Sequence, residues 1–304
     1  MIFGLFSFFL IISILFVSRL IHRKYSFKHQ NYINSGTIVM ITGGCHGIGI
    51  EILKFILTNY KCTVINIDVC KEKFKELEEY FNINKIDGRL FNYHCDISDI
   101  DQVNTCIDAI LSEHTIDILI NNAGIAFNKH FNYLEHKNFV KTIQTNLLAP
   151  IVLSKKLLHH NTINQNKLHI VNIASVMSHL TSCKSTDYST TKWGLYAFHE
   201  CLRYDYYHNK EFKFTIVCPF AVDTGMFEGF VSPLPLVKIL KSSYVAEFIV
   251  KSIVLNDKIV FIPFYMEYIA LAFKILPTCI RDYLYFKFSK KSLNYFIFYS
   301  EFCL

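Results

Sequence analysis

The stretch Thr37-Ile-Val-Met-Ile-Thr-Gly-Gly-Cys-His-Gly-Ile-Gly49 decides the fold of this chain. Its first six residues are a short β-rich run, and the residues after Gly49 continue as a helix with a broad apolar face. Glycine clusters taken alone mostly mark ordinary turns. Between a strand and a helix, however, such a turn lets backbone N–H groups and the helix N-terminus meet a pyrophosphate. The stretch therefore predicts a dinucleotide site at Gly43, Cys45, His46, Gly47, Ile48 and Gly49.

The second strand, Cys62–Asp68, ends on an acid about twenty residues past the glycines, the position at which a carboxylate can bind both ribose hydroxyls. The same carboxylate would repel a 2′-phosphate. No Arg or Lys occupies the glycine turn or the position after Asp68, so NAD is favoured over NADP. The alternative is that Asp68 simply ends the strand.

Further strands alternate with helical patterns, namely Arg89–Ile97, Asp117–Gly124, Leu168–Ala174, Phe212–Pro219 and Lys258–Ile262. At the end of the third strand, Asp96 and Ile97 are placed for the adenine edge of a cofactor. Asn122, Ala123 and Gly124 end the fourth strand, where amides and a glycine suit contact between backbone and cofactor. The alternation predicts an α/β Rossmann fold with a doubly wound parallel sheet of about seven strands.

Candidate chemistry lies between Ser175 and Lys192. Tyr188 and Lys192 are one helical turn apart, so a phenol and an ammonium would face the same cavity. Ser175 ends a buried strand that would converge on the same point. This arrangement suits proton transfer to or from an alcohol. Read separately, the Ser is a strand-end cap, the Tyr is helix packing and the Lys is solvated.

Asn146 is a polar residue among apolar neighbours in a helix predicted from about Glu135 to His160. Its structural alternative is a core Asn bonded to the backbone.

In this order and spacing, the motifs resemble those of the short-chain dehydrogenase/reductase family over roughly residues 36–262: Thr42-Gly-x-x-x-Gly47-Ile-Gly49, Asn121-Asn-Ala-Gly124, Asn146, Ser175, Tyr188-x-x-x-Lys192 and Pro219. The resemblance implies that Tyr188 is the acid/base and that Ser175 holds the substrate oxygen. It also implies that Lys192 binds the nicotinamide ribose and that Asn146 fixes a water that relays protons. Pro219, Val222 and Thr224 are placed at the cofactor in the same way.

An unperturbed phenol titrates near 10. The ammonium of Lys192 and the positive charge of oxidised nicotinamide both favour phenolate, so we expect the pKa of Tyr188 to fall towards neutrality.

The segment from Cys218 to Gly229, with apolar sequence at both chain ends, resembles the membrane-bound branch that contains epidermal-type retinol dehydrogenases and lipid-droplet 17β-hydroxysteroid dehydrogenases. The chain departs from the wider family at Phe220, where Gly is usual, and at Cys45 and His46, where small residues are usual. A His near the adenine ribose could accommodate an added phosphate, which leaves the fine cofactor preference open.

An apolar segment with two prolines begins at Met226, and its first apolar residues are Met226, Phe227 and Phe230. It predicts a lid over a lipophilic substrate, and these three residues, with Ser175 and Tyr188, are the predicted substrate contacts. The alternative is a loop that packs only on its own domain.

The composition agrees with one large domain. The chain has 304 residues, of which 52% are apolar, and a formal net charge of +6. Its basic residues cluster beside apolar segments at both ends, which points to a membrane surface rather than to nucleic acid. Ten cysteines are scattered without a CxxC pair or zinc-site spacing, so we expect reduced thiols and no metal.

The chain begins with an uncharged run, residues 2–18, which would span about 25 Å as a helix. Arg19, Arg23, Lys24 and Lys28 follow it. Residues 1–28 are therefore predicted to be an N-terminal membrane anchor, with the catalytic domain (36–262) on the cytosolic side of the endoplasmic reticulum or a lipid droplet. A cleaved signal peptide is the alternative, but a charged n-region and a cleavage site are missing.

Residues 263–304 are apolar and aromatic with interspersed charges. Glu267 and Lys274 would be costly inside a bilayer, so an interfacial helix is predicted rather than a spanning one. Packing in a homodimer is the rival explanation.

Together these patterns predict an NAD-dependent oxidoreductase that interconverts a lipophilic primary or secondary alcohol of retinoid or steroid type and its carbonyl. The alternatives are an NADPH-dependent lipid carbonyl reductase and a catalytically idle membrane or lipid-droplet binding protein.

Overall fold

The computed structural model describes residues 32–226 and 238–287. Within them, seven parallel strands form one sheet in the order β3-β2-β1-β4-β5-β6-β7. In chain order the strands are β1 Ile38–Thr42, β2 Thr63–Asp68, β3 Arg89–His94, β4 Ile118–Asn121, β5 Leu168–Ile173, β6 Phe212–Pro219 and β7 Ile259–Ile262. The predicted doubly wound parallel sheet of seven strands is confirmed.

Helices connect the strands and cover both faces of the sheet. Those in the described residues are α1 Gly47–Tyr60, α2 Glu72–Ile83, α3 Ile100–Glu113, α4 His136–Ile143, α5 Ala149–Ile163, α6 Thr186–Asp205, α7 Ser242–Leu255 and α8 Met266–Ile275. Between α4 and α5, Gln144–Leu148 form a π-helical turn, so the single helix predicted here contains a local irregularity.

The central strands are apolar on both faces because each face is packed. In β1, Val39 and Ile41 contribute to the cluster formed with α1, α2 and α7, whereas Met40 contributes to the cluster formed with α3 and α5. Such double burial explains why the strands appear in the sequence as continuous apolar runs rather than as an alternating pattern.

The strand order reverses between β1 and β4, which pair through Val39–Ile41 and Ile118–Ile120. In open parallel sheets the crevice at the carboxyl ends of the strands on either side of this reversal is where ligands bind. The glycine turn after β1 and the polar segment after β4 meet at this crevice.

After β7 the chain forms α8, breaks at Leu276 and Pro277, and is helical again over residues 278–287. Pro277 cannot continue the hydrogen-bonding pattern of the preceding helix. No helix within residues 32–226 or 238–287 is both long and apolar enough to cross a bilayer. The predicted anchor (1–28), the lid residues Phe227 and Phe230, and the last residues of the chain (288–304) lie outside the described residues.

Candidate active site

Three glycines shape the turn between β1 and α1. Gly43 (φ +71°) and Gly47 (φ +55°) adopt the left-handed conformation that favours glycine. A Cβ on Gly49 would lie 2.0 Å from the carbonyl oxygen of Gly43, and one on Gly43 would lie 2.9 Å from the Cα of Ala123. Larger residues at Gly43 and Gly49 would collide with the protein's own backbone, so the glycines permit a tight turn into the N-terminus of α1, where a pyrophosphate could bind.

Asn122, at the end of β4, fastens this turn to the neighbouring strand. Its side-chain amide donates to the carbonyl oxygens of Thr42 and Gly43, each at 3.0 Å. The Thr42 hydroxyl in turn accepts the backbone N–H groups of Asn122 and Ala123, each at 3.1 Å. Asn122 therefore supports the glycine turn, whereas the side-chain amide of Asn121 donates to Asn172 Oδ1 at 2.8 Å.

Asp68 ends β2 beside the turn and is buried. Its carboxylate accepts the backbone N–H of Cys45 at 2.9 Å and that of Cys70 at 2.9 Å. Each carboxylate oxygen has a further lone pair, so the acid can still accept ribose hydroxyls. Asp68 thus has a structural role in the turn and also lines the cleft described below.

Asp96 borders the cleft just after β3. It accepts hydrogen bonds from the Ser98 N–H (2.9 Å) and hydroxyl (2.7 Å), and Lys141 Nζ lies 3.7 Å away. Burial opposes ionisation of Asp96, but the Ser98 hydrogen bonds and the Lys141 charge bring its pKa below the ordinary value.

Asn146 lies in the π-helical turn and is fully buried. Its side-chain oxygen accepts the Ile125 N–H at 2.8 Å, and its amide donates to the Ile125 carbonyl at 2.9 Å and to the Thr191 hydroxyl at 3.1 Å. Asn146 is therefore bonded to the backbone, as the structural alternative predicts. A Cβ on Gly124 would lie 3.5 Å from both Asn146 Oδ1 and Lys192 Nζ, so the residue is also next to the candidate chemistry.

The end of β5 and the first turns of α6 bring Ser175, Tyr188 and Lys192 together, and all three are buried. Tyr188 is hydrogen-bonded to Ser175. Lys192 Nζ lies 5.4 Å from the centroid of the Tyr188 ring and donates to the carbonyl oxygen of Ile173 at 2.8 Å. The phenol and the ammonium face one cleft, as their spacing predicts.

Burial raises the pKa of Tyr188 to about 12, although the Ser175 hydrogen bond favours phenolate. Burial also lowers the pKa of Lys192 to about 8. Burial disfavours both charged forms and Lys192 is bonded to Ile173, so Lys192 alone does not bring the pKa of Tyr188 towards neutrality. A cation bound beside the phenol would have to supply the remaining stabilisation of phenolate.

The segment after β6 contacts the glycine turn. Val222 forms an isolated parallel bridge with Leu240, and the Thr224 N–H donates to the Val222 carbonyl at 2.8 Å. A Cβ on Gly47 would lie 3.1 Å from the Cβ of Thr224. Met226 lines the same cleft.

A cleft of about 360 Å³ joins these groups. All the predicted cofactor positions line it except Cys45 and Gly49, and Asn146 lies just outside the lining. The lining also includes residues that the sequence analysis did not select: Ile67, Val69, Cys95, Ile125, Lys141, Thr145, Ile173, Ala174 and Phe220. Most of these are neighbours of the predicted strand ends, whereas Lys141 and Thr145 come from a helix whose periodicity gave no functional signal.

Asp187 was also missed by the sequence analysis. Its side chain is fully buried, and Oδ2 accepts the Phe127 N–H and the Thr142 hydroxyl, each at 3.2 Å. Within the described residues Oδ1 has no hydrogen-bond partner. The acid immediately before Tyr188 thus joins α6 to the segment after β4 and to α4.

Residues 37–233 match the protein family described as short chain dehydrogenase. Among curated proteins, uncharacterized oxidoreductase TDA5 of Saccharomyces cerevisiae is 30% identical over 64% of this chain, and the match spans 58% of TDA5. Epidermal retinol dehydrogenase 2 of Mus musculus is 30% identical over 82% of each chain. The 17-beta-hydroxysteroid dehydrogenase 13 of Rattus norvegicus is 26% identical over 77% of each chain.

Solved structures have the same fold. A short chain dehydrogenase/reductase from Burkholderia phymatum in complex with NAD superposes with a TM-score of 0.68 at 18% identity, covering 79% of this chain and 92% of that one. A short-chain dehydrogenase from Sphingobium yanoikuyae in complex with NADPH also has a TM-score of 0.68, at 19% identity, covering 78% and 92%.

Proposed function

The chain belongs to the short-chain dehydrogenase family, and on this premise we propose that it transfers hydride between a lipophilic alcohol and NAD. One observation carries the proposal: Ser175, Tyr188 and Lys192 converge, buried, on a cleft that also contains the glycine turn. A phenol held by a hydroxyl beside a buried ammonium is an arrangement for moving a proton.

The cofactor, when bound, supplies the hydride acceptor. In this proposal Tyr188 takes the proton of the substrate hydroxyl, and Ser175 holds the substrate oxygen. Lys192 binds the nicotinamide ribose and, with the bound cation, favours phenolate at Tyr188. Asn146 positions the segment after Gly124 and fixes a water that carries the proton onward.

We assign NAD as the cofactor on the basis of Asp68. Its carboxylate lies at the end of β2, next to the glycine turn, where an added 2′-phosphate would meet a negative charge. Asp96 and Ile97 are assigned to the adenine side of the same cleft, and Thr224 to the nicotinamide side.

The substrate is assigned to the lipophilic alcohols. Met226 lines the cleft, and the sequence that follows it to Leu236 is mainly apolar. The names of two relatives, a retinol dehydrogenase and a 17-beta-hydroxysteroid dehydrogenase, agree with this class. With residues 1–28 as an anchor, the enzyme would face the cytosol at the endoplasmic reticulum or a lipid droplet.

The test is turnover by the full chain purified with membranes. We expect NADH to form from retinol or a hydroxysteroid, and Tyr188→Phe to lower kcat by about 10²-fold or more, because the variant lacks the acid/base. Tyr204→Phe, an exposed position on the same helix, is the matched control and should keep wild-type turnover. Unchanged turnover in Tyr188→Phe would refute the assignment.

Cofactor titration separates this function from its alternative. His46 lines the cleft at the glycine turn, and a cationic form of it would attract a 2′-phosphate. Tighter binding of NADPH than of NADH would show that His46 outweighs Asp68 and would favour a lipid carbonyl reductase. Absence of turnover across a panel of lipid alcohols and ketones with both cofactors would favour an idle binding protein.

A further inference from the structure

Exposed apolar side chains are concentrated near the end of the described chain. Of the 19 large hydrophobic residues that are exposed in the described ranges, six fall between residues 264 and 286. We call this set the C-terminal apolar surface; it consists of Phe264, Leu271, Ile275, Ile280, Tyr283 and Phe286. Leu271 and Ile275 are one helical turn apart, and Ile280, Tyr283 and Phe286 follow one another at helical spacing, so these exposed side chains share helix faces, and exposed apolar patches usually mark interaction sites.

Helix α8 buries only a narrow stripe against the domain. Met266 and Ala270 are buried, whereas Leu271 is 49% and Ile275 is 70% exposed. The helical residues 278–287 are mostly exposed as well. Two short helical pieces joined at Pro277 thus present apolar side chains outward and contribute little to the core.

Charged residues accompany the apolar ones. Lys274, Arg281 and Lys287 are exposed, against the carboxylates of Glu267 and Asp282. The sequence that continues directly from this segment adds Lys290 and Lys291 among many aromatic residues. A surface that combines exposed apolar side chains with more basic than acidic residues fits an anionic lipid bilayer better than it fits the apolar surface of a second protein.

The same segment contacts two residues that flank the Tyr188-to-Lys192 turn in the sequence. The backbone N–H of Cys183 donates to the hydroxyl oxygen of Tyr285 at 2.7 Å. Lys274 Nζ lies 4.7 Å from the centroid of the Trp193 ring, and Trp193 directly follows Lys192 on α6. The contacts therefore lie on either side of the Tyr188-to-Lys192 turn in sequence.

Hydrogen bonds among Ser182, Ser185 and Ser189 connect the chain next to Cys183 with the turn that contains Tyr188. The Ser185 hydroxyl donates to the carbonyl oxygen of Ser182 at 2.7 Å and lies 3.0 Å from the Ser189 hydroxyl. Ser185 and Ser189 are both buried. The loop between Ser175 and Tyr188 is thus connected to the last described helical segment at one end and to α6 at the other.

We propose that the C-terminal apolar surface docks on an anionic lipid bilayer, and that Tyr285 then holds the loop between Ser175 and Tyr188 in its active position while Lys274 holds α6 at Trp193. Docking stands on the exposure and charge of residues 264–287. The effect on the loop rests on the proposed function, since it assumes that this loop borders the alcohol substrate. A lipophilic substrate would then enter from the phase on which the surface lies.

The test uses the full chain and its single tryptophan. Trp193 is 39% exposed and lies against Lys274, so brominated acyl chains should quench its emission when the surface is docked. We expect quenching in brominated phosphatidylserine/phosphatidylcholine vesicles relative to the same vesicles without bromine. Ile275→Glu should lower the ratio of docked to free protein about tenfold, because it removes a large apolar side chain that docking would bury in the bilayer and it adds a negative charge. Ile83→Glu, 78% exposed on α2 beside the opposite edge of the sheet, is the control and should not change quenching.

Tethering by the N-terminal segment alone would leave Trp193 equally bright in both kinds of vesicle, and that result would overturn docking. Self-association that Ile275→Glu abolishes, without lipid quenching, would also overturn it, because a second copy would then cover the surface.

For the loop, vesicles should raise wild-type turnover of a water-soluble alcohol, and Tyr285→Phe should lose this activation while keeping the quenching. Equal activation in Tyr285→Phe would overturn the coupling. Quenching remains readable even if no alcohol is turned over, so failure of the proposed function is distinguishable.

Discussion

Tyr188 and Lys192 are both buried, and burial disfavours the charged form of each. The pKa of Tyr188 rises to about 12 and that of Lys192 falls to about 8. A general base must be deprotonated when it acts, so the phenol needs a positive charge nearby. The hydrogen bond with Ser175 acts in the required direction but is outweighed by desolvation. In the proposed mechanism, the basicity of Tyr188 therefore depends on the positive charge bound beside it.

Asp187 gives a prediction at the scale of a single residue. Asp187→Ala would leave the Phe127 N–H without its acceptor, whereas the buried Thr142 hydroxyl keeps the Asn138 carbonyl oxygen at 2.9 Å. An unsatisfied donor costs about 1–3 kcal/mol, so we expect the free energy of unfolding to fall by about 1–2 kcal/mol. Asp187→Asn retains an oxygen acceptor and should lose less than about half of that amount. Urea unfolding measures both.

The matched control for Asp187 is Asp205→Ala, an exposed acid at the end of the same helix. Its stability should stay within about 0.5 kcal/mol of wild type. If Asp187→Ala were as stable as Asp205→Ala, the buried carboxylate would not be joining α6 to the neighbouring segments.

At the scale of elements, the carboxyl ends of β1, β2 and β4 form one connected unit. Asp68 at the end of β2 bonds to the glycine turn after β1, and Asn122 after β4 bonds to the same turn. A change at one strand end should therefore alter both the shape of the turn and the choice of cofactor.

We expect Asp68→Asn to raise the ratio of kcat/KM with NADP to kcat/KM with NAD about tenfold or more. The variant removes the charge that opposes a 2′-phosphate but keeps an oxygen that can accept the Cys45 N–H. Steady-state kinetics with both cofactors give the ratio. Asp96→Asn, at the end of β3, should change both cofactors alike, since the adenine is common to them. A ratio that did not move in Asp68→Asn would show that the acid only supports the turn.

The elements that sequence could predict are those with a strong local pattern. The inner strands follow from largely apolar runs, because parallel strands inside a sheet are buried on both faces, whereas the edge strand β3 is partly exposed. The π-helical turn at Gln144–Leu148 has no such pattern, since it is a single short turn inside a longer helical stretch. The Asn146 side chain in this turn bonds to the Ile125 backbone and to Thr191. These contacts form only when the π-helical turn, α6 and the segment after β4 have packed together.

At the scale of the whole molecule, the contacts that could not be predicted from the sequence are those between segments far apart in the chain. The order and spacing of Ser175, Tyr188 and Lys192 were enough to predict that they converge, because a strand end and a helix face fix their directions. The role of Asp187, the contribution of Lys141 to the cleft and the contact between Cys183 and Tyr285, 102 residues apart, depend on tertiary packing instead. The fall in the pKa of Tyr188 is predicted for a site that holds oxidised nicotinamide and stays a prediction, whereas the burial that raises this pKa to about 12 cannot be weighed from spacing alone.

The buried ammonium of Lys192 makes a prediction about the stability of the whole fold. Its pKa of about 8 lies below the ordinary value of 10.5, so at pH 7 the folded protein holds a charge that the unfolded chain solvates better. The cost is about 3 kcal/mol, by the conversion of about 1.4 kcal/mol per pH unit. Between pH 8 and pH 10.5 the unfolded chain binds more protons than the folded one, so wild-type stability should rise with pH in that range.

Lys192→Met lacks this titration and should also lack dehydrogenase activity. We compare its free energy of unfolding with that of wild type at each pH. The difference (variant minus wild type) should be largest at pH 7 and should fall by about 2 kcal/mol by pH 10, because the wild type gains stability over that range. Urea unfolding at the two pH values measures the change. Lys155→Met, an exposed lysine on α5, is the control and should keep a constant difference from wild type. A pH-independent difference for Lys192→Met would mean that Lys192 keeps its ordinary pKa in the folded protein, and the site would then hold its ammonium without a cost in stability.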